Sequence, residues 1–86
     1  MLKKIKLSMR ISHHKLDKDI QNNISACLLD LERAGINADK KDSLIVKAVE
    51  LYCKWQYDYG GKGEKYEEAY TSLQIALCLS GEYKNV

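Results

Sequence analysis

Residues 43–59 read SLIVKAVELYCKWQYDY. Wound at 3.6 residues per turn, Leu44, Ile45, Ala48, Val49, Leu51, Tyr52, Cys53 and Trp55 cover more than half the circumference. Lys47, Glu50, Lys54 and Asp58 share what is left, three or four apart with mostly alternating sign, which supports a helix locally. A helix apolar over that much of its surface has to be covered by neighbours on several sides, so it is expected at the centre of the fold. Asp42 stands just ahead of it, where a carboxylate accepts from the free N–H groups of the first turn.

Two further helices flank this segment. On its C-terminal side Gly60-Gly61-Lys62-Gly63 reads as a turn. A helix from Glu64 to about Leu79 comes next, with Tyr66, Ala69, Tyr70, Leu73, Ala76 and Leu77 as its core stripe. On the N-terminal side Leu16, Ile20, Ile24, Cys27, Leu31 and Ala34 keep helical spacing from about Leu16 to Ala34. Asp17 and Asp19 suit the positive end of that helix, and Gly35 is placed to end it in a left-handed conformation. A short first helix is expected over residues 2–11, with Leu2, Ile5 and Met9 inward and Leu7 and Ile11 beside them. Ser12-His13-His14 then breaks the pattern. Nothing alternates with period two. The expectation is all-α: a single domain over 1–86, a small four-helix bundle-like fold around a central third helix, with a flexible C-terminal tail at 80–86.

At 86 residues the chain buries only roughly 60–65% of its unfolded surface, so oligomerisation would help to stabilise it. Cys27, Cys53 and Cys78 are widely spaced and lie in apolar helical patterns. They read as buried, reduced thiols rather than a disulfide framework or zinc site, which suits a reducing compartment. No stretch is long and apolar enough to span a bilayer, and the basic start carries no apolar run of the kind a secretory signal needs.

Chemistry finds little footing. Gly60-Gly61-Lys62-Gly63 lacks the preceding strand, the glycine spacing and the Ser or Thr of a phosphate loop. His13 and His14 are adjacent, so they diverge and make a poor chelating pair. No serine or carboxylate stands at a recognised catalytic spacing. No catalytic, cofactor-binding or metal-ligating residue is therefore assigned, no cofactor is expected, and the chain is read as a non-enzyme.

Binding is a better prospect. Net charge is only +2, but Lys3, Lys4, Lys6, Arg10 and Lys15 precede the first acid, Asp17. Lys3, Lys6 and Arg10 recur about once per turn and could touch DNA or an acidic partner, although a solvated basic face explains them more simply. Apolar residues are also in surplus. Ile75 and Leu79 point away from the stripe of the last helix, with Cys78 beside them, and Leu29 points away from Ile20 and Leu31. A small monomer cannot bury both faces of a terminal helix, so Leu29, Ile75, Cys78 and Leu79 are expected at a subunit interface.

Across nearly its whole length the chain resembles the head–tail connector proteins (portal adaptors, or DNA-packaging proteins) of tailed phages and prophages. Order and spacing carry the likeness: Leu7-Ser8-Met9-Arg10-Ile11-Ser12, Leu16-Asp17 leading to Ile20, Asp30-Leu31 with Ala34-Gly35-Ile36, Lys47-Ala48-Val49 with Tyr52, Tyr59-Gly60, and Tyr66 with Tyr70 and Leu73. Lys18 and His13-His14 depart from a more acidic turn at that place. The resemblance implies a subunit that forms a ring, of about twelve copies, under the portal, closing or extending the DNA channel after packaging. Its implied partners are itself, the portal protein and a tail-side stopper or completion protein, with DNA passing through the ring without sequence readout and no membrane. The implied location is the virion head–tail junction, and the host cytoplasm during assembly. Portal contact would fall to Glu82, Tyr83, Lys84, Asn85 and Val86. The alternative is a small DNA-binding or regulatory helical protein of a phage or mobile element, distinguished by duplex affinity that falls steeply with salt.

Overall fold

The computed structural model describes residues 1–40 and 42–84. Four helices run in order: α1 (Leu2–Ser8), α2 (Asp17–Arg33), α3 (Ser43–Gln56) and α4 (Gly63–Leu79). Short 3₁₀ turns lie at Ala38–Lys40, Tyr59–Gly61 and Gly81–Tyr83. The described residues hold no strand, only an antiparallel bridge between Ile36 and Lys84.

The apolar third helix is central, as its circumference requires. It packs against α4, α2 and α1 within an envelope of 38 × 23 × 18 Å. Ile45, Ala48, Val49, Leu51 and Cys53 of α3 are buried and meet Ile20, Ile24, Cys27 and Leu31 of α2, Ile5 of α1, and Tyr70 and Leu77 of α4 in one core. Leu44 falls outside this contact and is 46% exposed, so the apolar arc of α3 is narrower than its composition suggests. Ala69 and Ala76 of the expected α4 stripe are also exposed. Asp42 caps α3 as expected, its Oδ1 accepting from the N–H groups of Leu44 (3.1 Å) and Ile45 (3.2 Å).

The C-terminal ends of α1, α2 and α3 are followed by left-handed residues. Gly35, at φ +83°, lets its N–H reach Glu32 O (2.9 Å) and the N–H of Ile36 reach Leu31 O (3.0 Å). These bonds close α2 and turn Ile36 back into the core. Arg10 does the same for α1 at φ +57°, with Arg10 N bonded to Leu7 O and Ile11 N to Lys6 O. That is why α1 stops at Ser8 and not at Ile11: a non-glycine residue takes a conformation that sequence reading does not assign to it. Asp58, also left-handed, ends α3 ahead of Tyr59. Its Oδ1 accepts from Gly63 N at 2.7 Å, and a Cβ on Gly63 would lie 2.6 Å from that oxygen. A side chain there would displace the Asp58 carboxylate from this bond, which favours glycine where α4 begins.

The largest departure is the tail. Tyr83 is 4% exposed and belongs to the core, its hydroxyl donates to Asp42 Oδ2, and its carbonyl accepts from Asn37 N at 2.6 Å. Residues 80–84 are thus folded onto the α2–α3 connection. The expectation of a flexible tail from residue 80 fails because one aromatic side chain buries enough surface to anchor the segment. Asn85 and Val86 lie outside the described residues.

Candidate assembly surfaces

Three surfaces hold the residues singled out from the sequence. The first is at α1, where a groove of about 370 Å³ is lined by Leu2, Lys3, Lys6, Leu7, Ile11, His14 and Asp17. Leu7, expected near the core stripe, is 70% exposed here. Ending α1 at Ser8 swings Ile11 back beside Lys6 and forms the far wall.

Lys6 does not point to solvent with Lys3. It is 8% exposed, and its Nζ stands 2.6 Å from Asp17 Oδ1. His14 Nδ1 lies 2.9 Å from Asp17 Oδ2 and 3.2 Å from Lys6 Nζ. With a proton on Nδ1 the imidazole donates to Asp17; without one it accepts from Lys6. The hydrogen bonds from Lys6 and then His14 hold the Asp17 carboxyl below its ordinary pKa. The expected basic stripe of Lys3, Lys6 and Arg10 is therefore corrected: Lys3 and Arg10 are exposed, while Lys6 is a buried cation balanced by Asp17, which fixes the start of α2 to α1.

The second surface is the outer side of α4. Its inner side is committed to the core. Tyr70 Oη donates to Asp30 Oδ2 at 2.7 Å, and Gln74 Nε2 reaches the same oxygen at 3.0 Å. Burial first, and the bond to Asp30 second, push the Tyr70 hydroxyl far above its ordinary pKa. Tyr70 also packs by ring contacts on Tyr52 and Trp55, while Lys54 of α3 lies over the rings of Tyr59 and Tyr66 at 5.4 and 5.6 Å. Cys78 belongs to this inner side as well: it is half-buried, and its Sγ lies 3.3 Å from Ala34 O. It thus packs α4 on the end of α2 rather than lying beside an exposed interface, because it sits nearer the Tyr70 direction than Ile75 does. What stays outside is Ile75, 55% exposed, and Leu79, 82% exposed, with Glu64 and Glu68 ahead of them on the same side.

The third surface is the outer side of α2, where Leu29 is 58% exposed. The side chains of Glu82 and Lys84 are exposed, while that of Tyr83 is not. Cys27 and Cys53 are buried free thiols, each pushed up to about 12 chiefly by burial. Among the described residues no group of His, Cys, Asp and Glu is placed to hold a metal ion, and no helix is long and apolar enough to cross a membrane. The groove itself had no sequence signal beyond Leu7 standing off the α1 stripe. The anchoring of Tyr83 had one, an aromatic residue in an otherwise polar end.

A small helical domain whose core is closed around α3, and whose remaining large apolar side chains stand on outer faces, is built to meet other proteins. The chain belongs to the phage connector protein family, whose model matches residues 1–84. That membership agrees with the resemblance to head–tail connectors and places the chain in a structural rather than an enzymatic family. No curated protein and no solved structure matches it.

Proposed function

We propose that the chain is one subunit of a ring at the phage portal, between head and tail, which closes or extends the DNA channel after packaging. The observation that carries this reading is the pair of exposed side chains Ile75 and Leu79 on a helix whose other side is already packed. Membership of the phage connector family supports this reading, in which that surplus meets copies of the chain and the proteins on either side. Leu29 supplies a further apolar contact. The portal and a tail-side stopper or completion protein are the proposed neighbours, and DNA passes without sequence readout through a ring of about twelve, a closed set of heterologous contacts. Glu82 and Lys84, with Asn85 and Val86 beyond the described residues, are the proposed portal-facing end.

Sedimentation of the purified chain over a range of concentrations tests this. The expected result is a closed oligomer that grows in population with concentration. Tight duplex binding that weakens steeply with salt would instead support a DNA-binding protein. Withdrawal of Lys6 into its pair with Asp17 leaves that alternative with Lys3 and Arg10 alone from the expected stripe.

A further inference from the structure

We propose that the outer face of α4 in one copy docks into the α1 groove of the next copy. The inference rests on the ring reading above and names the two surfaces that would make its contact.

The groove defines what can fill it. Leu2, Leu7 and Ile11 give it apolar walls, and Leu7 is 70% exposed. Lys3 is on its lining, and Lys4 and Arg10 are exposed on the same short helix and its end. Asp17, the acid on its lining, is already paired with Lys6 at 2.6 Å, so it does not offset Lys3. Two such grooves meeting across a two-fold axis would set cation against cation. The occupant therefore has to bring apolar side chains together with acids.

The same chain carries that combination on α4. Glu64 and Glu68 in its first half, and Ile75 and Leu79 in its second, fall within an arc of about 60° on the side turned from the core. Lys65, the cation of α4, lies ~40° beyond the Leu79 edge of that arc, so the face carries two acids against one flanking cation. Glu68 and Ile75 are separated by ~10 Å along the axis and Lys3 and Leu7 by ~6 Å, a difference that the long lysine and glutamate side chains span. In this pairing Glu68 meets Lys3 while Ile75 enters the groove beside Leu7. The two surfaces are different patches, so the contact is heterologous: every copy offers one groove and one α4 face, which is the condition for closing a ring.

Because the contact is heterologous, single-face variants can be made to complement. Leu7→Asp places an acid in the groove, and Ile75→Lys places a cation on the α4 face; both positions are exposed, so helical content should be unchanged by circular dichroism. In sedimentation velocity each variant alone should stay monomeric where the wild type assembles, its association weakened at least ~10-fold, equal to ~1.4 kcal/mol. An equimolar mixture should assemble again, since the α4 face of the Leu7→Asp chain still fits the groove of the Ile75→Lys chain and, at the other contact, the introduced acid faces the introduced lysine. As a second route, Lys3→Glu and Glu68→Lys should each weaken assembly, and the doubly exchanged chain should recover it. If the wild type forms rings and these variants do too, the assigned surfaces are wrong, the ring reading stands, and the groove is left to a different protein. A wild type that stays monomeric up to ~1 mM, or that stops at a two-fold dimer, overturns both.

Discussion

Leu31→Ala tests the packing of α2 most directly. Leu31 has no exposed surface, and it occupies the turn at which α2 ends, where its carbonyl accepts from Ile36 N at 3.0 Å. Alanine keeps that backbone bond and removes three carbon atoms from a core that also holds Ile36, Ile45 and Val49. Such deletions cost ~2–5 kcal/mol, the upper end applying where neighbours cannot collapse into the space. The whole domain is stable by ~4–13 kcal/mol at ~0.05–0.15 kcal/mol per residue, so this one change removes a large fraction. A loss of ~3 kcal/mol lowers Tm by roughly 12–24 °C in a domain of this size. Urea unfolding at low protein concentration, monitored by far-ultraviolet circular dichroism and by fluorescence of Trp55, gives the number free of any contribution from association. Leu29→Ala is the control: that side chain is 58% exposed, and its removal should change stability by no more than ~0.5 kcal/mol. A cost below ~1 kcal/mol for Leu31→Ala, or equal costs for the two variants, would refute the assignment of the buried stripe.

Asp42→Ala should cost ~1–2 kcal/mol in the same urea assay, because it removes the cap of α3 and the hydrogen bond to the Tyr83 hydroxyl, which loosens the C-terminal segment while the buried ring still holds it. Tyr83→Phe should cost less than Asp42→Ala, since the ring stays buried and the cap survives; the reverse order would show that the cap is not the stronger contribution. Gly35→Ala should destabilise by ~1–2 kcal/mol, measured by thermal unfolding, purely through its φ of +83°, since a Cβ there would meet nothing within 4 Å. Stability should also fall as pH rises. Tyr57 and Tyr83 are raised from 10.0 to about 12, the first mainly by burial and the second by its bond to Asp42. A folded pKa above the unfolded one gives stability that is complete below 10 and lost as pH climbs through about 12, so ellipticity at fixed urea should drop across that window and less steeply in Tyr83→Phe.

The periodic part of the fold was legible because it depends on spacing alone. The stripe Ile20, Ile24, Cys27 and Leu31 is buried as the 3.6-residue rule requires, and α3 is central because no smaller number of neighbours could cover it. The cap at Asp42 and the left-handed Gly35 come from the chemistry of single residue types. The failures share a different cause. Arg10 takes a left-handed conformation without being glycine, which shortens α1 and opens the groove. Lys6 and Asp17 are joined by a turn whose geometry no periodicity encodes, so a residue counted with the basic face became an internal ion pair. Cys78 and Leu79 are neighbours in sequence, yet one packs on Ala34 and the other is 82% exposed, a division that depends on where α2 ends.

The anchored end changes what a contact at the C-terminus would involve. Tyr83 is held between the α2–α3 connection and the cap of α3: its carbonyl accepts from Asn37 N, and its hydroxyl donates to the carboxylate that also accepts from Leu44 and Ile45. A portal protein that used this end as it stands would read Glu82 and Lys84, side chains presented from a fixed base, and would avoid the entropy cost of ordering a free tail. A portal protein that drew Tyr83 out would have to replace a buried aromatic contact and the hydrogen bond to Asp42. The first route requires less of the partner's binding energy. It also leaves the groove and the outer face of α4 undisturbed, so neighbouring copies could engage each other and the portal at once.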